Sequence, residues 1–129
     1  MKNIYYWCPF IGNIATIKAV INSAYSLSKY SNNKFVPTII NSCGEWDRYN
    51  STLSKKKIIV KKFKNIFSIN TETSGYFKSR ITYIKIFLTC FLSLKNTLKK
   101  DRPEYLIAHL ITSLPIFLYL IFNFKTKLV

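Results

Sequence analysis

The sequence predicts an α/β domain built on an incomplete doubly wound parallel sheet, and three observations carry that expectation. Short runs rich in β-branched and aromatic residues recur at 4–7, 35–41 and 105–108, each short enough for a strand. Longer segments with helical spacing stand between them, at 14–30 and 76–100. Turn and breaker residues separate the two kinds of segment, so the chain reads as strand and helix in alternation.

Residues 4–7, IYYW, form the first buried strand, and Pro9 ends it while biasing Cys8 toward an extended shape. From 14 to 30 the period becomes helical. Ile17, Val20, Ile21, Ala24 and Leu27 share a face, with Lys18, Asn22, Ser26 and Lys29 mostly off it. Asn13 is the expected N-cap, and the polar run 31–33 ends the helix. The next strand is FVPTIIN at 35–41, where Pro37 implies a strand start or an open edge on its side. A loop is expected over 42–57, then a short third strand drawn from 58–60 and 63–69, then a turn at 71–75.

Residues 76–100 give the strongest helical signal. Phe77, Ile81, Ile84, Leu88, Phe91, Leu92 and Leu98 are expected to face the core, with Lys78, Thr82, Lys85, Thr89, Ser93, Asn96 and Lys100 opposite. Pro103 stops this helix, 105–108 forms a fourth strand, and His109 stands at its carboxyl end. A helix over 112–122 and a strand start at 127–129 follow. The apolar run 105–124 has the length of a bilayer span, but His109, Thr112, Ser113 and Pro115 in its first half favour strand, turn and short helix. A last strand with no helix after it leads to the expectation that the chain is one part, 1–129, of a longer domain truncated at its carboxyl end.

A chain of 129 residues suits one domain with a real core, and 49% apolar content argues against disorder. The formal charge of +15 would favour anionic lipid, phosphorylated substrates or nucleic acid. Arg48, Arg80 and Arg102 are the only arginines, however, whereas phosphate and base readers usually enrich Arg. A general excess of Lys, Asn and Ile accounts for the charge equally well. Cys8, Cys43 and Cys90 are far apart and odd in number, which suggests a reducing compartment, and the first ten residues lack the form of a signal peptide. The expected location is cytoplasmic, with peripheral attachment to the inner membrane face open.

Ligands of an open parallel sheet bind beyond the carboxyl ends of its strands, which singles out 9–13, 42–48 and 109–113. Gly12 and Asn13 could bring backbone close to a ligand at a helix start, or form only a tight corner; the spacing is neither a dinucleotide nor a P-loop fingerprint. His109, the single histidine, could act as a hydrogen-bonding or acid–base group near a sugar, or be a buried ring satisfied by a carbonyl. Glu45 and Asp47 could hold hydroxyls with Trp46 stacking beside them, or lie in a solvated loop anchored by that ring. Thr112 could face an acceptor or donor from the same end of the sheet, although Thr112 and Ser113 suit an N-cap better than a nucleophile. No ligand spacing for a metal is present, and none is expected. Lys61 and Lys62, with Lys78 and Lys85, could face an anionic membrane or be simply solvated; the absence of zinc-finger, GXXG and RNP-like patterns ranks nucleic acid lower.

The stretches IYYWCPFIGNIATIKAVINSAYSLSKYS and RPEYLIAHLITSLP resemble the N-terminal half of GT-B glycosyltransferases. Within them the resemblance is to the family-4-like enzymes of bacterial surface polysaccharide synthesis. Their strand, Pro- and Gly-containing loop and helix match the start. Their RPD-apolar-apolar-apolar-H pattern matches Arg102 to His109, with Glu104 in place of Asp. The resemblance implies a Rossmann-like acceptor-side domain, with Gly12 near the interdomain cleft, His109 facing donor sugar or acceptor, and Cys43 to Asp47 on the acceptor side. It implies transfer from a nucleotide-sugar to a hydroxyl of a saccharide or lipid-linked acceptor, without a bound cofactor. The partner implied is a missing C-terminal donor-binding domain, without which this portion is expected to be inactive. The competing class is a small basic protein attached to a membrane surface, with no enzymatic activity.

Overall fold

The structure is a computed structural model that describes residues 1–10, 15–32, 34–63 and 76–129, the side chains of 76–79 excepted. Among the described residues the elements follow in the order β1 (Lys2–Trp7), α1 (Thr16–Tyr30), β2 (Phe35–Asn41), a 3₁₀ turn (Asp47–Tyr49), α2 (Asn50–Lys55), β3 (Ile59–Lys62), α3 (Tyr76–Lys100), β4 (Tyr105–Ala108), α4 (Ser113–Phe122) and β5 (Lys127–Leu128). The strands pair in parallel in the order β3-β2-β1-β4-β5, the doubly wound, Rossmann-like arrangement the alternation predicts.

The pleat sorts the core into two layers. Ile4, Tyr6 and Cys8 point to one face, where Ile17, Val20, Ile21 and Ala24 of α1 and Leu53 of α2 close over them. Tyr5 and Trp7 point to the other, under Cys90, Leu94 and Leu98 of α3 and Leu114 and Leu118 of α4. Full burial of each such aliphatic side chain stabilises the fold by roughly 1.5–3 kcal/mol. Central strands buried on both faces explain why β1 and β2 read as near-continuous apolar runs.

Pro37 sits opposite Ile4 of β1, one residue before β3 joins at Thr38, so its missing N–H falls where the β3 side is still open. The apolar run 105–124 resolves into β4, a turn and the ten-residue α4. No helix among the described residues is long and apolar enough to cross a membrane.

Three details differ from the sequence reading. Helix α1 begins at Thr16 with Ala15 in the N-cap position, rather than at residue 14 behind Asn13. Residues 47–55 are helical rather than looped, because Leu53 is buried against the sheet and pins a segment whose own pattern is polar. The third difference is the face that α3 buries. Thr89, Cys90, Ser93, Leu94, Thr97 and Leu98 are inside, whereas Ile81, Ile84, Leu88 and Leu92 are exposed. Small side chains let this helix approach the end of β2 closely: Ser93 Oγ donates to Ser42 Oγ at 2.7 Å and the Cys43 and Cys90 sulfurs lie 3.7 Å apart. Thr89 and Thr97 return their hydroxyls to the carbonyls of Lys85 and Ser93, so the buried stripe leaves neither hydroxyl unpaired. The expected turn at 71–75, and the strand candidate beyond Phe63, lie outside the described residues.

Candidate functional site

In the strand order, β1 and β4 are neighbours whose chains then leave for opposite faces, β1 toward α1 and β4 toward α4. By the rule for open parallel sheets, the crevice for a ligand lies beyond their carboxyl ends. His109 stands at that point. Its backbone N–H donates to the Trp7 carbonyl at 2.9 Å, which continues the β1–β4 ladder by one residue. Its ring lies parallel to that of Tyr6, with centroids 6.1 Å apart and planes 6° from parallel. The Tyr6 hydroxyl is shared with Ser23 of α1 at 2.8 Å, which fixes the platform under the imidazole.

Burial holds the His109 pKa below the ordinary histidine value, so the ring is neutral at pH 7, with one nitrogen a donor and the other an acceptor. Nε2 is buried and has no hydrogen-bond partner among the described residues. The indole N–H groups of Trp7, the last residue of β1, and Trp46, in the turn after β2, share that condition. Buried polar atoms are almost always paired, so unpartnered ones require an explanation. His109 and Trp46 follow the carboxyl ends of β4 and β2, where a ligand of an open sheet belongs, whereas Trp7 points to the α3–α4 face and a fourth such atom, Tyr119 Oη, lies on α4.

The turn after β2 is built to a fixed shape. Asn41 Oδ1 accepts from the Gly44 N–H at 2.8 Å, and Gly44 adopts a φ of 91° that favours glycine. Glu45 turns inward: its two oxygens accept the backbone N–H groups of Ser42 at 2.9 Å and Cys43 at 2.7 Å. Burial drives the Glu45 pKa up, against the lowering effect of those backbone bonds. Asp47 turns the other way, accepting from Asn41 Nδ2 at 3.0 Å and pairing with Lys62 at 3.3 Å. Trp46 is fully buried, edge-on to Phe10 with centroids 5.1 Å apart and near Tyr49 at 6.1 Å. That contact ties the segment leaving β1 to the turn leaving β2.

Thr112 occupies the N-cap position of α4 without a side-chain capping bond and is exposed. Ile111, between it and His109, has a φ of 48°. A β-branched residue in the left-handed region costs roughly 1–3 kcal/mol and is held there by its surroundings. Lys61 pairs with Asp101, which also accepts from the Tyr5 hydroxyl at 2.8 Å. Burial raises the Asp101 pKa, but the bonds from Lys61 and Tyr5 outweigh it and hold the carboxyl below its usual range. Lys85 is exposed. Gly12, Asn13 and the side chain of Lys78 lie outside the described residues.

The arrangement joins His109 to Tyr6 and Trp7, and Phe10 to Trp46, while Glu45 and Asp47 diverge. Sequence reasoning did not single out Tyr6 or Ile111. The signal for Tyr6 was its place one residue from the carboxyl end of β1, where the strand pairs with β4. Among the described residues no group of three or more His, Cys, Asp or Glu could hold a metal ion. Cys8 offers no nucleophile, since burial, with the charge of Glu45 adding to it, pushes its thiol up to about 12. No protein family, curated protein or solved structure with which the chain was compared matches it. What stands is a Rossmann-like domain of the kind shared by many nucleotide- and sugar-binding proteins.

Proposed function

We propose that the chain is the acceptor-side, Rossmann-like part of a glycosyltransferase that moves a sugar from a nucleotide-sugar to a hydroxyl of a saccharide or lipid-linked acceptor. The observation that supports it best is His109, whose buried Nε2 has no partner among the described residues and which stands at the carboxyl end of β4 beside β1. Hydroxyl-rich ligands supply both donors and acceptors to such an atom. The resemblance of Arg102 to His109 to the glycosyltransferase pattern points the same way.

In this reading the acceptor hydroxyl attacks the anomeric carbon, the bond from that carbon to the diphosphate oxygen breaks, and the nucleoside diphosphate leaves with the electron pair and takes up the acceptor's proton. Neutral His109 accepts a hydrogen bond from a sugar hydroxyl or donates one to developing charge, according to its tautomer. A second domain holds most of the nucleotide, and transfer requires it. The donor is a substrate, and no cofactor takes part.

The test is release of nucleoside diphosphate from a panel of nucleotide-sugars, with saccharide or lipid-linked acceptors, by this chain together with a donor-binding domain encoded next to it. Turnover that falls roughly 100-fold or more in His109→Ala is the expected result. Turnover near wild type in that variant removes His109 from the reaction. The absence of any second domain in the adjoining DNA, with no turnover, overturns the reading.

A further inference from the structure

Helix α3 meets the turn after β2 through two neighbouring contacts. Ser42 and Cys43 follow each other just after β2, and Cys90 and Ser93, three residues apart, share one face of α3. Ser93 Oγ donates to Ser42 Oγ at 2.7 Å, and the Cys43 and Cys90 sulfurs lie 3.7 Å apart. All four side chains are buried. The hydroxyl contact fixes the helix against the turn, so the fold itself holds the two sulfurs at van der Waals distance. A disulfide is about 2 Å long, so a bond between them needs an approach of less than about 2 Å.

The two sulfurs are not equivalent. The neighbouring Cys43 sulfur, and then burial, hold the Cys90 thiol far above its ordinary range, so Cys90 keeps its proton. Cys43 is 5% exposed against 1% for Cys90 and lies in the turn beside Gly44, where a water-sized oxidant reaches it first. Cys8, the third cysteine, packs in the layer on the other face of the sheet, among Ile4, Tyr6 and the residues of α1.

We propose that Cys43 and Cys90 form a redox-modifiable pair, which hydrogen peroxide closes into a disulfide that ties α3 to the turn after β2. In the first step the Cys43 sulfur attacks one peroxide oxygen, the O–O bond breaks, and water leaves with the Cys43 proton, giving a sulfenic acid. In the second the Cys90 sulfur attacks the Cys43 sulfur, the S–O bond breaks, and a second water leaves with the Cys90 proton. Peroxide thus takes up two electrons, one from each sulfur, and a thiol reductant reverses the bond. The free thiols are the resting form and the disulfide the conditional one. The bond joins residues 47 apart in sequence and restrains the turn that carries Glu45 and Trp46. It stands apart from the glycosyl-transfer reading, since it makes no use of His109.

The intact chain is treated with millimolar hydrogen peroxide, alkylated in denaturant, digested without reductant and read by mass spectrometry. The expected result is a Cys43–Cys90 peptide pair lighter by two hydrogens than the free peptides, with Cys8 alkylated, and dithiothreitol removes the link. The oxidised chain should unfold about 5 °C or more above the reduced one. In Cys90→Ala the Cys43 sulfenic acid persists and is captured by dimedone, whereas Cys8→Ala forms the link as the parent does. A link that involves Cys8, links only between chains, or three cysteines that alkylate alike after peroxide overturns the proposal. So does an unfolding temperature that the link leaves unchanged or lowers. A link that forms as fast in urea as in the folded chain also overturns it, because the fold would then not be what pairs the sulfurs.

Discussion

The two sides of the sheet are covered by helices that follow opposite rules. On one side α1 buries Ile17, Val20, Ile21 and Ala24 and turns polar residues outward. On the other, α3 buries a stripe in which Thr89, Cys90, Ser93 and Thr97 alternate with Leu94 and Leu98, and it leaves Ile84, Leu88 and Leu92 in solvent. Helix α1 has one apolar face and one use for it. Helix α3 has two faces able to make contacts, and the sheet takes the one whose small side chains allow the closer approach. Periodicity therefore locates a helix, while the side it buries depends on what lies beneath it.

The largest effect that could break this contrast lies within α3 itself. Leu94→Ala is expected to cost about 2–5 kcal/mol in urea unfolding, as for a fully buried leucine. Leu88→Ala, one face away, should cost less than about 0.5 kcal/mol. Equal losses at the two positions would mean that the outer stripe is packed as well.

At the site, Glu45→Ala should destabilise by about 1–3 kcal/mol for each backbone N–H it leaves unanswered, those of Ser42 and Cys43. A loss below about 0.5 kcal/mol would show that the turn holds its shape without the carboxylate. Ile111→Gly should act in the opposite direction, raising stability by about 1 kcal/mol as the left-handed backbone strain is relieved. No gain, measured the same way, would place the strain elsewhere.

The smallest expected effect is the pH response of His109. Its folded pKa is depressed by burial, so the unfolded chain takes up the proton first as pH falls. The stability it contributes is full above the unfolded value, about 6.5. It is lost as pH drops through that value toward the folded one. Unfolding of wild type against His109→Gln across this window should show a pH slope in the first that is missing from the second.

Much of the architecture was legible because its signals are local. The bounds of α3 follow from Pro103 after it and from its spacing, and the strand, turn and helix of 105–122 follow from the polar residues that interrupt the apolar run. Helix α2 was not legible, since its one buried side chain, Leu53, is fixed by tertiary contact rather than by pattern. The buried face of α3 was hidden for the same reason, although Thr89, Cys90, Ser93 and Thr97 do recur at helical spacing, as a small-residue stripe would. His109 could be placed at a strand end from sequence, but its stacking on Tyr6 and the burial of an unpartnered Nε2 depend on β1 and β4 being neighbours.

One histidine in the chain means one set of imidazole resonances, and these report on the crevice directly. Titration of the labelled protein with a panel of nucleotide-sugars and oligosaccharides, followed by NMR, asks whether that crevice takes a sugar. The account predicts that at least one glycosyl ligand shifts the His109 ring signals, leaving α1 residues such as Asn22 unmoved. Ring signals that stay fixed across the whole panel at millimolar ligand would contradict it.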